Sequence, residues 1–376
     1  MEHTHQFSDP LKIAVIYTGQ VRTMEHTLPY FIENVLNNNI SNPSKVNKTV
    51  HVFVTLELPN SEKEKKYFES LLISNMGDHI KSLVWLDRNN NEWIETRERL
   101  LSNMNIYEQT KHYLRTSGSM IEHYQTYICY QQMKSYEDYV TKETGIEYKY
   151  DFVERVRTDI VICDPLDYHW INMDKETIIK KLDKQISFMK KKEPLEKINT
   201  PYKFHSSLVA YFMTSLVNED RFQIDETQFI DPTKYRGDVS SIITQKDEEK
   251  IIQILNNNSD EYCINLDELQ NYIINGDYII IFRTNLVYFT NRSCFEKIYR
   301  LGIEYGCHNS QREPAYFWNS EMQFQTICSD NNISIFNSDN FIESKSLYEY
   351  EKSNYFDENN QLKRRDDLFY FIMRSF

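Results

Sequence analysis

Apolar runs and polar turns alternate along the first half of the chain, with helical periodicity between them. Lys12-Ile13-Ala14-Val15-Ile16-Tyr17 is apolar at almost every position, as expected of a parallel strand buried on both faces. It runs into the turn Thr18-Gly19-Gln20-Val21-Arg22-Thr23, after which the pattern predicts a helix over 28–38. A second run, His51-Val52-Phe53-Val54-Thr55-Leu56, is followed by a charged helix over 62–72 and a third strand, Leu83-Val84-Trp85-Leu86. Met120, Tyr124, Tyr127 and Ile128 recur at helical spacing within 119–142, and Gly145 supplies a stop. The next strand is read over 151–160, ended by Asp164-Pro165. Strands alternating with helices predict an α/β fold, a mainly parallel central sheet with helices on both faces.

The pattern weakens from about 170 to 266, where Lys190-Lys191-Lys192 and Asn256-Asn257-Asn258 mark exposed turns. It resumes at Tyr278-Ile279-Ile280-Ile281-Phe282 and Leu286-Val287-Tyr288-Phe289. Helices are predicted near 294–305 and 315–329, with a short last strand at Ile333-Ser334-Ile335-Phe336. The tail from Leu362 is amphipathic and reads as a helix. A chain of 376 residues fits one large α/β domain with an insertion. Within it, 11–165 forms a nucleotide-binding half and 166–266 an insertion or acceptor-side region. An acceptor-binding half spans 267–345, and 346–376 a helical tail.

Charge narrows the partners. The formal net charge is -13, and a duplex-binding surface needs basic residues to displace counterions, so nucleic acid is not the expected partner. An acidic protein that binds a diphosphate must gather its arginines locally. The six cysteines are dispersed, with no C-x-x-C pair, and read as reduced core thiols. No apolar run is long enough to span a bilayer and the first ten residues lack a signal-peptide core, so the expected location is cytoplasmic. The tyrosines, 27 in number, follow the same AT-rich codon bias as the abundant Asn, Lys and Ile and point to no carbohydrate platform.

Two segments carry candidate chemistry. The loop after the first strand of an α/β sheet is where nucleotides commonly bind. There Gly19 permits close backbone approach, Thr18 and Gln20 can hydrogen-bond a base or ribose, and Arg22 can pair with a phosphate. A tight turn with a surface arginine explains the same residues equally well. Neither the dinucleotide G-x-G-x-x-G nor the phosphate-loop G-x-x-x-x-G-K is present. In Arg155-Val156-Arg157-Thr158-Asp159, strand alternation aims Arg155, Arg157 and Asp159 the same way. A diphosphate with a divalent cation, Mn or Mg, would satisfy these charges, the arginines on phosphate oxygens and Asp159 on the metal. An internal ion-pair set among them, with Asp151, is the structural alternative. Later acidic residues offer a general base for an acceptor hydroxyl: Glu321 in a first helical turn, and Asp277 just before a strand. Each is equally well read as ordinary helix-start or turn chemistry. Glu57, ending the second strand, is a weaker ribose candidate, and His123 and Gln125 share a helix that can reach the site, with a surface role explaining them equally well.

Tyr17-Thr18-Gly19-Gln20-Val21-Arg22 resembles the Gly-Gln-x-Arg turn that opens glycosyltransferases of the GT-A fold, as found in surface-polysaccharide loci and large DNA viruses. Tyr150, Asp151, Arg155, Arg157 and Asp159 match the family's Tyr-Asp-x-x-x-Arg-x-Arg-x-Asp strand, and Asn319-Ser320-Glu321 looks like its acceptor-side segment. The resemblance covers the N-terminal half and, more loosely, 277–336. It implies a GT-A-like fold and transfer of a sugar from a nucleoside-diphosphate sugar to a glycan or other hydroxyl acceptor. Where many metal-dependent members carry Asp-x-Asp, this chain has Arg157-Thr158-Asp159. A sugar-nucleotide nucleotidyltransferase and a non-catalytic nucleotide- or glycan-binding protein are the competing readings.

Overall fold

The computed structural model describes residues 10–37, 48–103, 108–116, 118–162, 274–283 and 286–299, with 333–337, 346–347, 357–358, 370–373 and positions 324, 328 and 331. The segment 166–266, expected to be an insertion or acceptor-side region, and Glu321 lie outside these residues. So does most of the helix expected over 315–329.

The strands are β1 (Leu11–Gly19), β2 (Lys48–Glu57), β3 (Ile80–Leu86), β4 (Phe152–Arg157), β5 (Ile160–Ile162), β6 (Tyr278–Arg283), β7 (Val287–Asn291), β8 (Ser334–Asn337), β9 (Ser346–Leu347) and β10 (Tyr370–Met373). The helices are α1 (Met24–Phe31), α2 (Glu62–Met76), α3 (Asn91–Asn103), α4 (Glu108–Thr116), α5 (Ser119–Thr144) and α6 (Arg292–Tyr299). A π-helical stretch, Ile32–Asn37, continues α1.

A seven-stranded sheet has the order β3-β2-β1-β4-β7-β6-β8. The pairs β3·β2, β2·β1, β1·β4 and β6·β8 are parallel, and β7 runs antiparallel between β4 and β6. The sheet is therefore mixed and mostly parallel, with β1 and β4 in its interior. Residues Ile13 to Tyr17 are wholly buried, as two-sided coverage demands. One face of β1 is covered around α1, where Tyr17 stacks on Phe31 with ring centroids 4.4 Å apart. The other face meets α5, whose Cys129, Tyr130 and Met133 share a core with Ala14, Ile16, Phe53, Tyr288 and Phe295. Removing such a set from water is the main stabilising term of the fold.

The order of the strands singles out one edge of the sheet. The chain lays β2 and β3 outward on one side of β1, then returns to place β4 on the other side. The reversal leaves a crevice outside the carboxyl ends of β1 and β4, the place where open α/β sheets bind ligands.

Several expectations change in detail. The helix after β1 starts at Met24, earlier than 28, because the Thr23 carbonyl already accepts the His26 and Thr27 amides. The strand expected over 151–160 is two strands, β4 and β5, in different sheets. Thr158 and Asp159 form the turn between them. Helices α3 and α4 were not expected; Trp93, Leu100, Leu101 and Leu114 pack with Met120, Ile121 and Tyr124 of α5 as a separate cluster. In the tail, Tyr370–Met373 is a strand and not a helix. It pairs antiparallel with β5 and parallel with β9, and its aromatic and β-branched content suits that pairing. Helix α5 ends where expected, with Gly145 at φ 69° donating its amide to the Thr141 carbonyl.

At the amino edge of the sheet a buried ion pair joins α5 to α6. The Arg292 guanidinium donates to Glu137 from Nε at 2.9 Å and Nη2 at 2.8 Å, and from Nη1 to Glu296 at 3.1 Å. Asp151 accepts the Lys12 amide at 2.7 Å, and the Tyr150 amide donates to Glu137 at 3.1 Å. Tyr150 and Asp151, which open the resembling strand motif, therefore stitch the far edge together. Cys129, Cys294 and Cys328 are free, buried thiols, and burial pushes Cys129 up to about 12. Among the described residues no helix is long and apolar enough to cross a membrane.

Candidate functional site

The carboxyl ends of β1 and β4 meet at Gly19 and Thr158. Thr18 and Arg157 are partners in the ladder, and the Thr158 amide donates to the Thr18 carbonyl at 3.0 Å. The Thr158 hydroxyl donates to the Gln20 carbonyl at 2.6 Å, and the Thr27 hydroxyl donates to the Thr158 carbonyl. From the opposite face Gln125 Nε2 donates to the Gly19 carbonyl at 3.1 Å. Gly19 has φ 143°, and a Cβ there would lie 2.3 Å from Thr158 Oγ1. The side chain missing from Gly19 thus makes room for β4. The close approach expected of a ligand is made by Thr158 instead.

The charges form one chain across this junction. Arg155 Nη2 donates to Glu122 Oε1 at 2.9 Å, and Arg157 Nη1 donates to Glu122 Oε2 at 3.2 Å. Arg157 also grips Asp159 bidentately, Nε to Oδ1 at 2.9 Å and Nη2 to Oδ2 at 2.5 Å. Arg22 Nη2 reaches Asp159 Oδ2 at 3.0 Å. Burial pushes the Glu122 carboxyl up, but Arg157 and Arg155 outweigh it and hold the group at about 2. Strand alternation does put Arg155 and Arg157 on one face, toward α5. Asp159 lies beyond the strand end, and its turn brings the carboxylate back to Arg157.

Exposure separates the roles. Arg155 is 1% exposed, and its guanidinium carbon lies 6.0 Å from the centre of the Tyr288 ring. It supports Glu122 and is too deep for a soluble ligand. Thr18 is wholly buried, and its hydroxyl has no hydrogen-bond partner among the described residues. The Arg22 side chain is 40% exposed and forms the open arm of the cluster. Beside it Gln20 Nε2 donates to Glu57 Oε2 at 2.8 Å, which also accepts from Arg88 Nη2 at 2.8 Å. The rim at the ends of β1, β2 and β3 is therefore Gln20, Arg22, Glu57 and Arg88.

Asp277 is not part of this assembly. It lies at the amino end of β6, which runs parallel to β1 through the antiparallel β7, and it accepts from Lys297 Nζ at 2.5 Å. The ladder sets Asp277 level with the start of β1, about six residues or roughly 20 Å along the strands from Thr18. Glu122 was missed by sequence reasoning, although its helix neighbours His123 and Gln125 were noticed. The available signal was helical spacing: Glu122 is one turn before Thr126 and Gln125 on the strand-facing side of a helix that must cover a face carrying two arginines.

The described residues at this edge do not fit a resident divalent cation. Both Asp159 oxygens already receive guanidinium hydrogen bonds, Glu122 is shared by two arginines, and Glu57 on the rim accepts from Gln20 and Arg88. Among the described residues no group of three or more His, Cys, Asp and Glu is placed to hold a metal.

The sequence matches no protein-family model and no curated protein. Among solved structures the chain is similar to mouse xyloside xylosyltransferase 1 in its apo form, at 8% identity and a TM-score of 0.26, over 97% of this chain and 98% of that one. A likeness at that TM-score carries no argument about fold or activity, and any functional reading rests on the geometry of the β1–β4 edge.

Proposed function

We propose that this protein is a glycosyltransferase of GT-A-like fold, moving a sugar from a nucleoside-diphosphate sugar to an acceptor hydroxyl. One observation carries the reading: Gly19, Gln20, Arg22, Arg157 and Asp159 converge outside the carboxyl ends of β1 and β4, where the strand order reverses. In this reading the nucleotide lies along the rim. Gln20 and Glu57 offer an amide and a carboxylate to the base and ribose, and Arg22 and Arg157 face the diphosphate. Sugar transfer breaks the bond between the anomeric carbon and the diphosphate oxygen, and the electron pair leaves with the diphosphate. Guanidinium groups placed against the diphosphate stabilise that developing charge. The acceptor hydroxyl forms the new bond and gives up its proton. In an inverting reaction Glu321 takes that proton, a role assigned from its sequence context; Asp277, at the opposite edge of the sheet, is not within reach of the β1–β4 crevice.

Arg22→Ala tests the site with least damage to the fold, because its side chain is 40% exposed. Nucleoside-diphosphate binding should weaken by about 1 kcal/mol, roughly fivefold, after discounting for solvent screening. The melting temperature should stay within a degree or so. Calorimetry and a melting curve on the same preparation decide the matter. Unaltered binding by the variant would remove the rim from the nucleotide site. Release of nucleoside diphosphate from a panel of sugar nucleotides is the companion assay. Pyrophosphate release from a sugar phosphate and a nucleoside triphosphate would reassign the protein as a nucleotidyltransferase.

A further inference from the structure

We propose that Asp159 is the resting occupant of an anion site built by Arg22 and Arg157, and that a ligand's diphosphate displaces it without needing a divalent cation. The inference rests on the nucleotide reading of this site and specifies how the diphosphate is held.

The geometry is that of a bound anion. Arg157 presents two parallel N–H groups to two carboxylate oxygens, at 2.9 and 2.5 Å. This fork-on-fork arrangement is the one guanidinium groups also make with phosphate. Arg22 closes the ring from the other side at 3.0 Å. The Asp159 side chain is 4% exposed and Arg157 13%, whereas Arg22 is 40% exposed. Arg157 is fixed from behind by Glu122 at 3.2 Å, so it keeps its place when the carboxylate leaves. Arg22 stands in the short turn between β1 and α1 and is the arm able to open.

Charge favours an anion over a cation here. Among the described residues, Arg22, Arg155 and Arg157 carry three positive charges against two on the Glu122 and Asp159 carboxylates they grip, a net of +1 in a largely buried cluster. A divalent cation would raise that to +3 and would have to evict guanidinium groups from Asp159. A diphosphate replacing the carboxylate neutralises the excess and restores the hydrogen bonds that Arg22 and Arg157 give up. Asp159 meanwhile satisfies the inward N–H groups of Arg157 in the empty protein, where leaving them without an acceptor would be costly.

The test is calorimetric titration of the full chain with UDP, GDP, CDP, ADP and inorganic pyrophosphate, in EDTA and again with Mn²⁺ or Mg²⁺. At least one nucleotide should bind equally well in both media, with affinity falling as salt is raised. Asp159→Asn should tighten that binding by about two- to fivefold, the size of the partly exposed ion pair it relieves. If the variant fails to fold, the wild-type comparison between EDTA and metal decides. Binding that appears only with the cation would overturn the proposal and make Asp159 a metal ligand, leaving the nucleotide reading intact. Metal-independent binding that is unchanged or weaker in a folded Asp159→Asn protein would also overturn it, since the carboxylate would then not compete. Absence of binding for every probe in both media would remove the nucleotide reading and this inference together.

Discussion

Replacing Glu122 by glutamine lowers stability by about 3 kcal/mol or more at neutral pH and disrupts the candidate site with it. Arg155 and Arg157 both lean on this one carboxylate, at 2.9 and 3.2 Å. The Arg155 side chain is 1% exposed, so its charge cannot turn to water when the partner goes. Breaking a buried pair from one side typically costs about 3–5 kcal/mol, because the remaining charge is left uncompensated. Glutamine keeps the shape and one acceptor oxygen, which isolates the charge as the cause. The pH dependence has a definite sign. Glu122 is held at about 2 in the folded protein, below its ordinary 4.5. A depressed carboxyl stabilises the fold fully above its unfolded value and loses that contribution as pH falls through its folded value. The gap between wild type and Glu122→Gln in denaturant titrations should therefore be widest above about pH 5 and close toward about pH 2. A gap that stays constant over that interval would show that packing, not charge, is what Glu122 supplies.

Gly19→Ala has a comparable effect for a different reason. Its φ of 143° is a region where a side chain is strained, at about 1–3 kcal/mol. The added Cβ would also stand 2.3 Å from Thr158 Oγ1. Thr158 is held from several sides, through its amide to Thr18, its hydroxyl to Gln20 and its carbonyl from Thr27, so it yields poorly. Overpacking adds about 1–3 kcal/mol, for a total of about 4 kcal/mol. Because Thr158 precedes Asp159, the same clash pushes the ends of β1 and β4 apart and should abolish nucleotide binding in whatever protein remains folded. A double-mutant cycle separates the two causes. Thr158→Ala in the Gly19→Ala background removes the close atom and should recover part of the loss, leaving the backbone strain. Strict additivity of the two substitutions in melting curves would mean that the steric contact with Thr158 is not the cause.

Both effects fall on parts of the site that sequence reasoning values differently. The alternation of 155–159 aims Arg155 at a phosphate; in the folded protein it is the buried support of Glu122. The turn after β1 offers Thr18 to the nucleotide, and the folded protein buries it wholly. Arg22 and Arg157 keep their places at the β1–β4 edge. The difference arises because strand alternation tells which face a side chain takes but not how far from the sheet end, or under which helix, that face lies.

Features that depend on near neighbours along the chain are legible without any structure. Apolar runs mark β1, β2, β6 and β7 because a strand buried on both faces is apolar almost throughout, and a shorter run marks β3, a half-buried edge strand. Periodic residues and a left-handed glycine mark α5 and its end at Gly145. The alternation of Arg155 and Arg157 is legible for the same local reason. Contacts between distant elements set the rest. The break at Thr158 and Asp159 reflects a choice between sheets, with β10 waiting more than two hundred residues later to pair with β5. That choice outweighs the reading of 151–160 as one continuous strand and the amphipathic reading of the tail. The partner of the arginines also comes from another element. Glu122 sits 33 residues before Arg155. Only the packing of α5 across β1 and β4 brings its carboxylate to both guanidinium groups, where burial leaves them no solvent and they must find a counter-charge within the protein.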